Sequence, residues 1–216
     1  MAEDRKPYRR EAEDKRRQAL IAATLSLVSD GGIRATTVRA IAERAGVTPG
    51  LLRHYFQSKE NLVLEAFRHL MTALTADCIA VLAYSPRDPY VRLAAFVAAT
   101  MRPPVVDKDV VVRWAAFLHE TQRNRDVHAI HHQSYLVYRG HLHALIAALP
   151  GNRSAAECRQ LAIAANALLD GLWIEGATLT GEFADNELVE IAIRSVGALL
   201  GVDLARYLLL SEPPKL

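Results

Sequence analysis

Apolar side chains recur every three or four positions along most of the chain and hardly ever alternate, which is the spacing of helices rather than of strands. The first clear stretch sets Leu20, Ile21, Thr24, Leu25, Leu27 and Val28 on one broad face and stops at Gly31-Gly32. The same periodicity predicts further helices over about 37–45, 49–56, 59–82, 89–101, 109–123, 126–149, 155–180 and 186–210. Breakers fall between them: Gly46, Ser85-Pro86, Pro103-Pro104, Pro150-Gly151 and Gly181. An all-α fold of about nine helices is expected, with no internal repeat and no low-complexity tract.

Residues 36–56, TTVRAIAERAGVTPGLLRHYF, carry the most specific local pattern. Ile41, Ala42 and Ala45 share one face of a short helix, Gly46 permits a turn with positive φ, and Val47, Leu52 and Tyr55 form the inward face of a second helix. Two helices that cross steeply touch at one point, and the methyl of Ala42 is small enough for that point. Thr36 is expected to cap the first helix, and Thr48 before Pro49 to cap the second. A plain helical hairpin would share the apolar spacing but has no need of Ala42 and Gly46 where they stand. In a helix-turn-helix the second helix enters the major groove, so Thr48, Pro49, Gly50, Arg53 and His54 face DNA, and Arg53 can form a bidentate contact with a guanine edge. Arg39, Tyr55 and Lys59, with the amides at the helix starts, are placed for phosphates, Thr36 and Thr37 are counted with the DNA-binding residues, and Tyr55 can equally belong to the core.

Charge agrees with that assignment. Of 216 residues 51% are hydrophobic and 23% charged, with a net charge of +2, yet residues 1–61 hold 12 Lys/Arg against 8 Asp/Glu and the remainder 14 against 16. The basic end is the expected nucleic-acid end, although the mixed run Arg9, Arg10, Glu11, Glu13, Asp14, Lys15, Arg16, Arg17 also reads as a solvated arm. Two cysteines, Cys78 and Cys158, are too few for a disulfide framework or a cysteine zinc site. No uncharged apolar stretch approaches the roughly 20 residues of a bilayer span, and the N-terminus has no signal-peptide core. A cytoplasmic protein without membrane partner is expected.

Gly46-Val47-Thr48, then Leu52-Arg53-His54-Tyr55-Phe56 and Lys59-Glu60-Asn61-Leu62, resemble the DNA-binding domain of TetR-type transcriptional repressors, whose H-Y-F-x-x-K-x-x-L pattern appears as His54, Tyr55, Phe56, Lys59 and Leu62. The resemblance implies a homodimer on a double-stranded operator. It also implies a DNA-binding domain at 1–61 with a basic arm, and a helical effector and dimerisation domain at 62–216. The last two helices would form the dimer interface, and Leu188, Ile191, Val196, Leu199 and Leu200 give the last one a wide apolar face. Within that family the C-terminal half is similar to the BetI-like branch, through Arg113-Trp114-Ala115-Ala116-Phe117, the helix from Tyr135 to Pro150, and Leu169-Asp170-Gly171-Leu172-Trp173. That branch represses choline-to-glycine-betaine genes and responds to choline. Where it implies an aromatic after Phe117, this chain has Leu118.

Trp114, Phe117, Leu118 and Trp173, with Tyr135 and Tyr138 as a third wall and Asp170, Glu120 or Glu175 as countercharge, can form a cage for an organic cation. The same aromatics at helical spacing can instead fill a core, and the effector can be a neutral apolar molecule. His119, His128, His131, His132, His141 and His143 crowd one stretch, and His128 with His132 has a spacing that can bind zinc, but without a matching carboxylate or cysteine they read as a solvated face. No metal and no cofactor are expected. No G-x-S-x-G, G-x-G-x-x-G, P-loop or H-E-x-x-H motif is present, so an enzyme is not expected. A helical interaction protein without DNA binding would explain the helices but not residues 36–56.

Overall fold

The computed structural model describes residues 5–208 and 210, with side chains from residue 13 onward. Among the described residues there are nine α-helices and no strand: α1 (Arg5–Gly31), α2 (Val38–Arg44), α3 (Pro49–Phe56), α4 (Lys59–Ala80), α5 (Pro89–Thr100), α6 (Lys108–Glu120), α7 (Arg125–Ala147), α8 (Ala155–Thr178) and α9 (Glu187–Leu200). The last helix is shorter than its periodicity suggests. Gly201 takes a left-handed φ of 68° and ends α9, and Leu204–Tyr207 form only a 3-10 turn. The apolar residues after Leu200 therefore do not extend the helix, and residue 209 of the expected span lies outside the described residues.

The chain divides into two compact units, one of residues up to Met71 with Val112–His131, the other of Thr72–Val111 with the chain from His132 on. This division by packing differs from the division by function expected at residue 61. In the first unit Leu20, Ile21 and Val28 of α1, Ile41 and Ala42 of α2, Leu52 and Phe56 of α3, and Leu62 and Phe67 of α4 are buried. Arg17 of α1 lies over the Phe56 ring, 5.2 Å from its centroid, and donates to Glu65 of α4 at 2.7 Å. Burial pushes the Glu65 carboxyl up, but Arg17 and Arg68 outweigh it and hold it below its ordinary value. With its following turn α4 is long and apolar enough to cross a membrane by length and composition alone. Its residues Leu62, Ala66, Phe67 and Leu70 instead fill this core.

The second unit is built on α5, where Leu93, Ala94, Ala95, Phe96, Val97 and Ala98 are all buried in sequence. Asp88 caps it, accepting from the amides of Tyr90 and Val91, and Pro89 opens its first turn. A capping box formed by Ser154 and Glu157 starts α8. Helices α8 and α9 then run antiparallel: Gly176 near the end of α8 lies against Leu188 at the start of α9, and Arg153 before α8 donates to the Leu200 carbonyl at the end of α9. At Gly197 a Cβ would stand 2.7 Å from the Val202 carbonyl oxygen and 3.2 Å from Leu204. Backbone cannot swing aside as a side chain can, so Gly197→Ala is expected to lower stability by about 1–3 kcal/mol. Urea unfolding with an unchanged midpoint would show that the α9 end yields freely.

Candidate nucleic-acid interface and effector site

The helix-turn-helix forms from its local signals. Thr37 is the α2 cap, its hydroxyl accepting from the Ala40 amide at 3.1 Å. Thr36, expected both to cap and to face DNA, does neither: it is 1% exposed and its hydroxyl donates to the Ile33 carbonyl. The preceding 3-10 turn, Ile33–Ala35, turns Thr36 inward and moves the cap by one residue. Ala42 is buried, as the crossing requires, and its carbonyl accepts the Val47 amide at 2.9 Å. Gly46 makes the turn with a φ of 65°.

Pro49 fixes the first turn of α3 after an extended Thr48, at φ −80° and ψ 149°. Thr48 occupies the cap position, but its side chain accepts no capping hydrogen bond, which corrects its expected role and leaves the hydroxyl for another partner. Leu52 and Phe56 bury one side of α3, while Thr48, Pro49, Gly50, Arg53 and His54 are exposed. The side chains of Arg39, Arg53 and His54 have no ion-pair or hydrogen-bond partner among the described residues, in contrast to Arg44, which is held 2.9 Å from Asp30. Lys59 is 3.5 Å from Glu60 at the start of α4. Tyr55 is half-buried, edge-on to His54 with ring centroids 5.2 Å apart. Lys15 and Arg16 of the basic arm are exposed, and the side chains of Arg9, Arg10 and Glu11 lie outside the described residues.

The eight candidate effector residues fall into two sets, one in each unit. In the first unit Trp114, Leu118 and Glu120 are half-buried. Phe117 is 0% exposed and stacks on Phe67, with centroids 4.3 Å apart and planes 17° apart. It is a core residue and not a wall that a ligand can touch. In the second unit the Tyr138 ring lies against Phe96, and its hydroxyl is 2.9 Å from that of Thr100. Burial pushes that phenol far above its ordinary pKa, so it stays neutral. Trp173 is 8% exposed, and its indole N–H donates to the Val105 carbonyl at 2.7 Å. Glu175 is exposed. The histidine pair His128 and His132 is exposed as well.

Tyr135 and Asp170 are joined by a residue the periodicity did not single out. The Asn166 amide nitrogen donates to the Tyr135 hydroxyl at 3.0 Å and to Asp170 Oδ2 at 2.7 Å. Burial raises the Asp170 carboxyl from 3.8 to about 6. The one legible sign was an asparagine among the alanines and leucines of the buried face of α8, four residues before an aspartate. The unit also has a cavity of about 210 Å³ bounded by Asp77, Val81, Ala95, Ala99, Arg102 and Pro104. A more open groove of about 290 Å³ lies between α7 and α8, with Arg139, His143 and Arg159 on it.

Residues 20–66 match the family of bacterial regulatory proteins, tetR family, and residues 89–201 match the BetI-type transcriptional repressor C-terminal family. The HTH-type transcriptional regulator BetI of Burkholderia ambifaria (strain MC40-6) is 32% identical over 87% of this chain and 95% of its own. A solved structure from Pseudomonas aeruginosa PAO1 superposes with a TM-score of 0.76 at 26% identity, covering 90% of this chain and 94% of the other. One from Saccharomonospora viridis, determined in complex with choline, superposes with a TM-score of 0.66 at 20% identity, covering 86% and 95%.

Proposed function

The chain belongs to the BetI-type transcriptional repressors of the tetR family, and on that premise we propose that it acts in the cytoplasm as a homodimer whose operator affinity is set by a small organic cation. Regulators of this family are not enzymes; they bind operator DNA and small-molecule effectors. Residues 1–61 carry operator recognition and 62–216 carry the effector and the dimer contact, through α8 and α9. Exposed Ala164, Ala167, Gly171 and Ile174 on α8 present an apolar face suited to that contact. A two-fold dimer puts two copies of α3 about 34–36 Å apart, one turn of B-DNA, on a near-palindromic site.

One observation carries the DNA reading: α3 exposes its first turn together with Arg53 and His54, neither of whose side chains has a hydrogen-bond or ion-pair partner among the described residues. Thr37, Arg39, Tyr55 and Lys59 then meet phosphates. Arg53→Ala is expected to cost about 1–3 kcal/mol and relax preference at one base position, whereas Lys59→Ala weakens all sequences alike and flattens the salt dependence. Gel-shift titrations of DNA upstream of the protein's own gene, against scrambled DNA, separate the two. A purely nonspecific effect from both variants would remove α3 from the recognition role.

For the effector, the half-buried Asp170, linked to Tyr135 through Asn166, supports a cation, and the choline complex of the Saccharomonospora structure points the same way. A neutral apolar effector is the second reading, favoured by the alanine, valine and proline walls of the α5 cavity. The effector changes operator affinity only by preferring one dimer state, and α4, continuous from Lys59 to Ala80, is the element through which such a preference reaches the helix-turn-helix. A coupling of about 1–3 kcal/mol is typical. Operator titration with and without choline, then with uncharged apolar metabolites, decides between the readings.

A further inference from the structure

The amide of Asn166 is fixed in orientation by its neighbours. Its nitrogen has two hydrogens and both are used, one toward the Tyr135 hydroxyl and one toward the Asp170 carboxylate. Turning the amide over would set its carbonyl oxygen against that carboxylate, acceptor facing acceptor. Asn166 Oδ1 is therefore an acceptor, it belongs to a side chain 3% exposed, and none of the described residues donates to it. Asp170 adds unused acceptor capacity, since an ionised carboxylate has about four lone-pair sites and Asn166 supplies a single hydrogen to it. The cluster, all within one compact unit, has more acceptors than donors, and a buried acceptor left without a donor is costly.

We propose that Asn166 is the specificity-determining residue of the effector site, selecting a small cation that also carries an O–H or N–H donor, with the cation against Asp170 and the donor directed to Asn166 Oδ1. The inference rests on the reading of the Asp170 cluster as the effector site and goes further. Asp170 attracts any cation, a quaternary ammonium without a donor included. Asn166 separates those with a donor from those without, because a site built around a buried acceptor rejects an analogue that leaves it unpaired. Size also disfavours the bulkier ether, so the donor contact is read from the loss of the choline advantage when the Asn166 acceptor is removed.

The test is isothermal titration of the full-length protein with choline, with its O-methyl ether and with tetramethylammonium, followed by the same three on Asn166→Ala. Choline is expected to bind at least about tenfold more tightly than either donor-free cation, and the advantage to vanish in Asn166→Ala while binding of the other two persists. Equal affinity of the three for the unmodified protein overturns the role of Asn166 and leaves the cation reading intact. Failure of all three to bind overturns both. Should Asn166→Ala not fold, Asn166→Leu, which keeps the volume and removes the acceptor, takes its place in the comparison. A choline advantage that survives in a folded Asn166→Ala assigns the donor contact elsewhere and overturns the proposal.

Discussion

Phe117→Ala is expected to lower unfolding free energy by about 3–5 kcal/mol, the range for removing a large aromatic from a core. Phe117 has no exposed surface and lies flat on Phe67 at 4.3 Å, so the substitution loses transfer energy, opens a cavity, and breaks an aromatic pair worth about 0.5–1.5 kcal/mol more. Domains are stable by only about 5–15 kcal/mol, so the loss is a large share of the total. Operator binding should fall with it, since Phe67 belongs to the same compact unit as α2 and α3. Phe117→Leu, which keeps most of the volume, should lose much less. Urea unfolding followed by circular dichroism measures both. A stable Phe117→Ala that has lost only its effector response would return Phe117 to the pocket and refute its place in the core.

Phe117 also marks where sequence ceased to be a guide. The helix-turn-helix was legible because its determinants are close neighbours: Gly46 at positive φ, Pro49 at a first turn, Ala42 at a crossing, Leu52 and Phe56 on one face of α3. Even there one residue of 3-10 helix, unmarked in the sequence, exchanged Thr36 for Thr37 as cap. Helical spacing says that Phe117 has a buried side but not what covers it, and its partner Phe67 stands on another helix. For the same reason Trp114 and Trp173 could be named as aromatic anchors, but their placement in different compact units could not be read. The end of α9 was misjudged because the apolar residues Leu208 and Leu210 prolong the pattern past Gly201, whose left-handed φ decides the matter. Asn166 went unread because its meaning depends on three hydrogen-bonding side chains drawn from two helices.

The second large effect concerns Asp170 and pH. Its carboxyl is raised from 3.8 to about 6 by burial, so the fold favours the protonated form. Below pH 3.8 folded and unfolded chains both hold the proton and the site carries no penalty. Between 3.8 and about 6 the unfolded chain releases it first, the folded chain binds more protons, and stability falls as pH rises. Above that window the loss is constant, about 2–3 kcal/mol at 1.36 kcal/mol per unit, with partial solvent screening favouring the lower figure. Asp170→Asn can still accept from Asn166 and should therefore be more stable than the parent protein at pH 7 by about that amount, and equal to it near pH 3.5. A cation seated against Asp170 reverses the balance, because it stabilises the ionised carboxylate that the empty fold disfavours. Choline affinity should then rise about tenfold per unit as pH climbs toward 6, level off above it, and be lost in Asp170→Asn. Thermal unfolding of both proteins across pH 3.5–7.5, with and without choline, reads stability and binding together. A parent protein no less stable than Asp170→Asn at pH 7 would refute the buried charge, and a choline affinity indifferent to pH would move the cation away from Asp170.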